Sequence, residues 1–192
     1  FHIKKQVFDS CLLPSLLYGS EAWFTKNLKE IECVYNRMIK VLLGVRQSTP
    51  TADCLIEIGQ KDLRTVIKEK SKLFYTKKLS NVNREEPFHI MMEISRNQNT
   101  MSYNMIMNYL NSNAAANLTP SEICLSKGDS HTKFVMYRSI MNADLSVHPV
   151  YKRNCLVPDY QRISFTRLRL SSHNLISEKG RWSRTPLNLR VC

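Results

Sequence analysis

Near the end of the chain, Arg181-Trp182-Ser183-Arg184 sets two guanidinium groups around an indole and a hydroxyl. Guanidinium binds phosphate through paired N–H donors, and an indole can stack on an unpaired base. This is the chemistry of gripping a nucleic-acid strand. A second placement fits Trp182 as well, with its ring buried beneath a helix over 159–171. Arg167 and Arg169 lie on that helix, and Lys68, Lys70, Lys72 and Lys77 cluster on an earlier one. We take these eight cations, Arg181 and Arg184 among them, and Trp182 as candidate nucleic-acid contacts: the charged groups on phosphate, Trp182 by stacking.

The charge behind them is uneven. The formal net charge is +12. Residues 61–80 carry seven Lys/Arg against two Asp/Glu, and residues 151–192 carry nine against two, whereas residues 1–60 and 81–150 are nearly balanced. Concentrated positive charge points to a polyanionic partner through counterion release; a solvated basic face or an anionic membrane surface is the alternative.

Catalytic chemistry is harder to place. Two-metal phosphoryl transfer needs paired carboxylates that hold the ions about 3.5–4 Å apart. The sequence has no Asp-Asp pair, and its one adjacent acidic pair, Glu85-Glu86, reads as a solvated turn beside Arg84. The histidines at 2, 89, 131, 148 and 173 are scattered, and no two stand four residues apart as in a helical zinc site. The cysteines at 11, 33, 54, 124, 155 and 192 form no Cys-x-x-Cys pair. Cys11, Cys33 and Cys54 read as buried thiols, and with no visible signal peptide the chain reads as reduced and intracellular.

The elements that must position these groups are helical. An apolar fraction of 43% with only 5 Gly and 7 Pro suits a globular, mostly α chain. Val7, Phe8, Cys11, Leu12, Leu13, Leu16 and Leu17 predict one face of a helix over 2–18, kinked at Pro14 and closed by Gly19. Leu28, Ile31, Tyr35, Met38, Ile39 and Leu42 predict a second over 27–43, capped by Asn27 and Gly44, with Lys40 off its apolar stripe. A short helix holds Cys54, Leu55 and Ile58 and stops at Gly59. Asp62 caps a longer one over 63–80, with Leu63, Val66, Ile67, Leu73 and Phe74 inward. Tyr75 stands among its lysines, packed on the core or free to stack. After a polar break at 81–87 come short helices over 88–94 and 103–110, a loop over 111–119, a helix over 131–145 and one over 159–171. Met91, Met92, Met101, Met105 and Met107 make the middle methionine-rich, which usually fills a soft core.

Two stretches resemble a known family. Leu13-Pro14-Ser15-Leu16-Leu17-Tyr18-Gly19-Ser20-Glu21-Ala22-Trp23 resembles a signature downstream of the polymerase palm in non-long-terminal-repeat, LINE-type retrotransposon reverse transcriptases. Cys54-Leu55-Ile56-Glu57-Ile58-Gly59 resembles the same proteins. So does the block from Arg162 to Leu175 that continues through Glu178-Lys179-Gly180-Arg181-Trp182 to Arg190-Val191-Cys192. The middle, 81–150, is similar only loosely.

The resemblance implies a helical thumb or post-thumb region at 1–80, a helical linker at 81–150, and a basic segment at 151–192 leading to a Cys/His zinc motif of which Cys192 is the first ligand. It implies a parent enzyme that copies RNA into DNA with magnesium and carries zinc. The expected fragment lacks the catalytic palm, has no catalytic residue or cofactor of its own, and grips template RNA or primer–template duplex without sequence preference. Expected partners are RNA, DNA and the rest of the polyprotein, in cytoplasm and nucleus, and not a membrane. A self-standing basic helical DNA-binding module and an inactive structural remnant are the rival readings. Phe1 in place of Met, and a last residue in mid-motif, suggest a fragment.

Overall fold

The computed structural model describes residues 1–23, 28–80, 86–111, 119–126, 132–152, 157–175, 179–180, 183–186 and 189. The chain is mostly α, with no strand among the described residues. No helix among them is long and apolar enough to cross a membrane.

The first expected helix is made of three pieces: α1 (His2–Val7), a π-helical turn (Phe8–Leu12) and α2 (Leu13–Leu16). Pro14 has no N–H for the carbonyl of Ser10. The turn ahead of it widens, and Leu13 N–H donates to Phe8 O, five residues back. A wide turn carries an extra residue and rotates everything after it. The apolar face is therefore narrower than expected: Phe8 and Leu17 are buried, Leu13 and Leu16 half-buried, and Val7, Cys11 and Leu12 exposed. Gly19, at φ +65°, then turns the chain into the short α3 (Ser20–Trp23).

Helix α4 (Lys29–Leu43) buries Tyr35, Ile39, Leu42 and Leu43 and ends at Gly44 with φ +70°. Leu28 occupies its N-cap; Asn27 lies outside the described residues. Lys40 lies off the apolar stripe and is buried all the same. It is buried because its Nζ donates to Gln47 O at 2.7 Å across the turn that follows. Helix α5 (Thr51–Ile58) is central, with every residue from Ala52 to Ile58 buried, and Gly59 closes it at φ +67°.

Helix α6 (Leu63–Leu79) starts on Asp62, whose Oδ1 accepts from Thr65 N at 3.0 Å. Its buried stripe is Leu63, Ile67, Ser71 and Tyr75, at four-residue steps. Leu73, expected inward, is exposed, because a position two residues from Ser71 and Tyr75 lies on the opposite side of the helix.

Next come α7 (Pro87–Asn97) and α8 (Met101–Asn111), a packed hairpin longer in both arms than expected. Phe88 joins it to α6 through Phe74 and Tyr75, with ring centroids 6.1 Å apart in both pairs. A helix not foreseen, α9 (Pro120–Ser126), packs on α5 and buries Cys124. It is followed by α10 (Thr132–Met136), a π-helical turn (Tyr137–Met141), a 3₁₀ turn (Pro149–Tyr151) and α11 (Asp159–Arg169). The expected loop over 111–119 and break over 81–87 fall largely outside the described residues.

One buried apolar cluster joins Phe8, Leu17, Tyr35, Ile39, Leu43, Leu55, Ile67 and Tyr75 to Cys124, Tyr137, Tyr151 and Leu170. The core thus crosses the boundaries expected at 81 and 151.

Candidate nucleic-acid interface

Helix α11 carries two of the expected phosphate ligands, and what seats it is a buried ion pair. Glu57 of α5 is fully buried and accepts from Arg169 Nε at 2.6 Å and Nη2 at 3.2 Å. The Tyr137 hydroxyl donates to Glu57 Oε2 at 2.7 Å and accepts from Asn142 Nδ2 at 2.8 Å. Burial, reinforced by the Glu57 charge, holds the Tyr137 phenol far above its ordinary range. Every polar atom here has a partner, as a buried charge requires.

One turn earlier on α5, Asp53 is buried with its Oδ1 unpartnered among the described residues. Burial raises its carboxyl to about 7, with Glu57 adding to the rise while a hydrogen bond with the Cys124 side chain and the Lys133 charge oppose it. Burial likewise pushes the Cys124 thiol up to about 12.

The rest of the α11 seat is close contact. Arg167 Nε donates to Gly44 O at 2.7 Å. Arg46 N donates to Ser172 Oγ at 2.9 Å. A Cβ on Gly44 would come within 3.1 Å of Ile163, so the bare glycine lets α11 approach the end of α4.

These facts sort the expected contacts. Arg169 faces inward and is committed to Glu57 and to Met141 O, so it leaves the exposed set. Arg167 is exposed, anchored through one of its nitrogens. On α6, Lys68 and Lys72 share one edge and Lys70 and Lys77 the other, by the 3.6-residue turn. Lys68 lies 5.7 Å from the Tyr109 ring centroid of α8. Lys70 donates to Leu17 O at 2.7 Å and pairs with Glu21 at 3.2 Å, which ties α6 to the turn around Gly19. Lys72 and Lys77 are exposed, with no ion-pair partner among the described residues. Arg184 is exposed in a turn at φ +54°. Arg181, Trp182 and Cys192 lie outside the described residues. Tyr75 takes the core placement, with its hydroxyl donating to Glu21 O at 2.9 Å.

Sequence reasoning passed over Glu57. Its signal was a carboxylate flanked by Leu55, Ile56 and Ile58, a setting in which a charge must be paired.

Asp53 and Glu57, two buried carboxylates one turn apart on α5, do not fit a magnesium site, because Arg169 and Tyr137 occupy both Glu57 oxygens. The described residues contain no group of three or more His, Cys, Asp or Glu able to hold a metal ion.

No protein-family model, no curated protein and no solved structure matches the chain.

Proposed function

We propose that the chain is a piece of a LINE-type reverse transcriptase, running from the thumb toward the zinc motif, that grips template RNA or primer–template duplex through its phosphates. The observation that supports this reading most is the meeting of distant stretches that each resemble that family. Glu57, in Cys54–Gly59, is neutralised by Arg169, from the block that starts at Arg162, 112 residues away. Such a pairing makes the resembling segments interdependent parts of one fold. The positive charge of residues 61–80 and 151–192 supports the choice of a polyanion.

The gripping groups in this reading are Lys72 on one edge of α6 and Lys77 on the other, together with Arg167 and Arg184, with Lys68 beside Lys72. Catalysis, magnesium and zinc belong to the parent protein. Binding of labelled RNA, DNA and primer–template duplex over a salt series tests the reading. Neutralising about five phosphates gives a log–log slope of roughly −4.5 on duplex, with little sequence preference. Strong preference for one DNA sequence would favour a self-standing DNA-binding module instead, and absence of binding at low salt would overturn the reading.

A further inference from the structure

The helical hairpin α7–α8 and the end of α6 border an open cleft that the phosphate grip does not use. It has a volume of about 350 Å³ and is lined by Leu79, His89, Met92, Glu93, Arg96, Tyr103 and Met107. That is within the roughly 300–1,000 Å³ range of small-ligand sites.

The lining follows from helical spacing. His89, Met92, Glu93 and Arg96 stand at i, i+3, i+4 and i+7 on α7, one face of the helix. Tyr103 and Met107, one turn apart, face them from α8, and Leu79 at the end of α6 completes the wall.

The hairpin is braced. Asn99 takes φ +49° at the bend, and Thr100 N donates to Ser95 O at 3.0 Å. Asn104 Nδ2 donates to Asn99 Oδ1 at 2.9 Å, and Thr100 Oγ1 accepts from Tyr103 N at 3.3 Å. Phe88 packs against Phe74 and Tyr75, and Lys68 lies over Tyr109, so both arms are held to α6. A braced cleft costs less ordering on binding than a loose one.

Its chemistry is mixed in a particular way. Glu93 and Arg96 have no ion-pair partner among the described residues, although they stand three residues apart. Among the described residues an exposed carboxylate and an exposed guanidinium thus stand unpaired beside a phenol ring and two thioethers. The ligand that matches has a flat aromatic body, an edge with two adjacent N–H donors, and an anionic end. Guanine alone among the common bases offers adjacent N–H groups on its pairing edge, which a carboxylate can accept together. Its ring suits Tyr103 and the polarisable Met92 and Met107. Its phosphate suits Arg96.

We propose that the α7–α8 cleft binds an unpaired guanine nucleotide, with Glu93 accepting from the base edge, Tyr103 and the methionines against the ring, and Arg96 on the phosphate. The inference rests on the nucleic-acid reading only for the source of that nucleotide, a single-stranded stretch of RNA or DNA.

The test uses the full chain and two kinds of probe. Amide chemical shifts are followed during titration with guanosine, adenosine, cytidine and uridine 5′-monophosphates. Affinities are then measured for pentanucleotides with one central guanine or one central adenine among uridines. Guanosine monophosphate should shift residues of α7 and α8 at concentrations at least tenfold below the other three. The guanine pentamer should bind tighter than the monophosphate if a strand is the natural source; the reverse order assigns the cleft to a free guanine nucleotide. Glu93→Gln should remove the guanine preference, and Met107→Trp should fill the cleft and abolish the shifts, both without changing duplex affinity. Equal responses to all four nucleotides, no response, or a preference that survives both substitutions would overturn the inference. Guanosine monophosphate binding without duplex binding would leave the cleft in place and remove the grip, so the two ideas fail separately.

Discussion

Arg169 donates two hydrogen bonds to Glu57, at 2.6 and 3.2 Å; Glu57 is fully buried and Arg169 is 8% exposed. The pair joins the last described helix to the most buried one. Removing one partner of such a pair leaves an uncompensated buried charge, at a cost of about 3–5 kcal/mol. Arg169→Ala should therefore shift the denaturant midpoint strongly downward. The double change Glu57→Gln with Arg169→Met should recover much of that loss, since it leaves no charge behind. Equal midpoints for the single and double variants would show that packing, not charge pairing, seats α11.

Asp53 gives stability a pH dependence of defined sign. Its folded carboxyl is raised from 3.8 to about 7. The proton is held more tightly in the folded chain, so the contribution is fully present below about pH 4. It is lost as pH rises through 7, and the effect is on the order of 4 kcal/mol. Asp53→Asn should abolish this component and be relatively more stable at pH 8 than at pH 4. Parallel stability curves for the two proteins would contradict the burial of this carboxyl.

Gly44 should tolerate no side chain. Gly44→Ala combines the cost of φ +70° with a Cβ 3.1 Å from Ile163, for a loss of about 1–3 kcal/mol. Adding Ile163→Val should return little, because the backbone term remains. A neutral Gly44→Ala, read by thermal melting, would mean that α11 does not approach the end of α4 so closely.

Lys72→Ala with Lys77→Ala should flatten the salt slope of duplex binding by about two units, leaving the midpoint of unfolding near that of the parent, since alanine suits an exposed helix. Lys70→Ala should act differently. It removes the bond to Leu17 O and the pair with Glu21, so its first effect is on stability. A salt slope unchanged in the Lys72/Lys77 variant would take α6 out of the interface.

What could be read from sequence was what local chemistry dictates. Gly19, Gly44 and Gly59 mark left-handed helix ends, and Asp62 caps α6, because those roles are decided within four residues. The existence of α4, α6 and α11 followed from periodicity. Long-range matters were not legible. Arg169, between Leu168 and Leu170, looks like any helix arginine until Glu57 is known to lie beneath it. Lys40 sits off the apolar stripe of α4, yet it is buried by a carbonyl beyond the helix end. Leu12 and Leu73 have the right residue type for a core, and a π turn in one case and helical phase in the other turn them outward. Helix α9 is short and follows a stretch rich in Asn and Ala, so its packing on α5 left little local trace.

The distance in sequence between Glu57 and Arg169 also sets a timetable for the nascent chain. At synthesis rates of about 5–20 residues per second, some 6–22 seconds separate the two residues at the ribosome. During that interval α5 is an amphipathic helix bearing two carboxylates, Asp53 and Glu57, and Glu57 has no counter-charge. It cannot be sealed into a finished core until α11 arrives, so the N-terminal helices wait on the far end of the chain to complete their own folding.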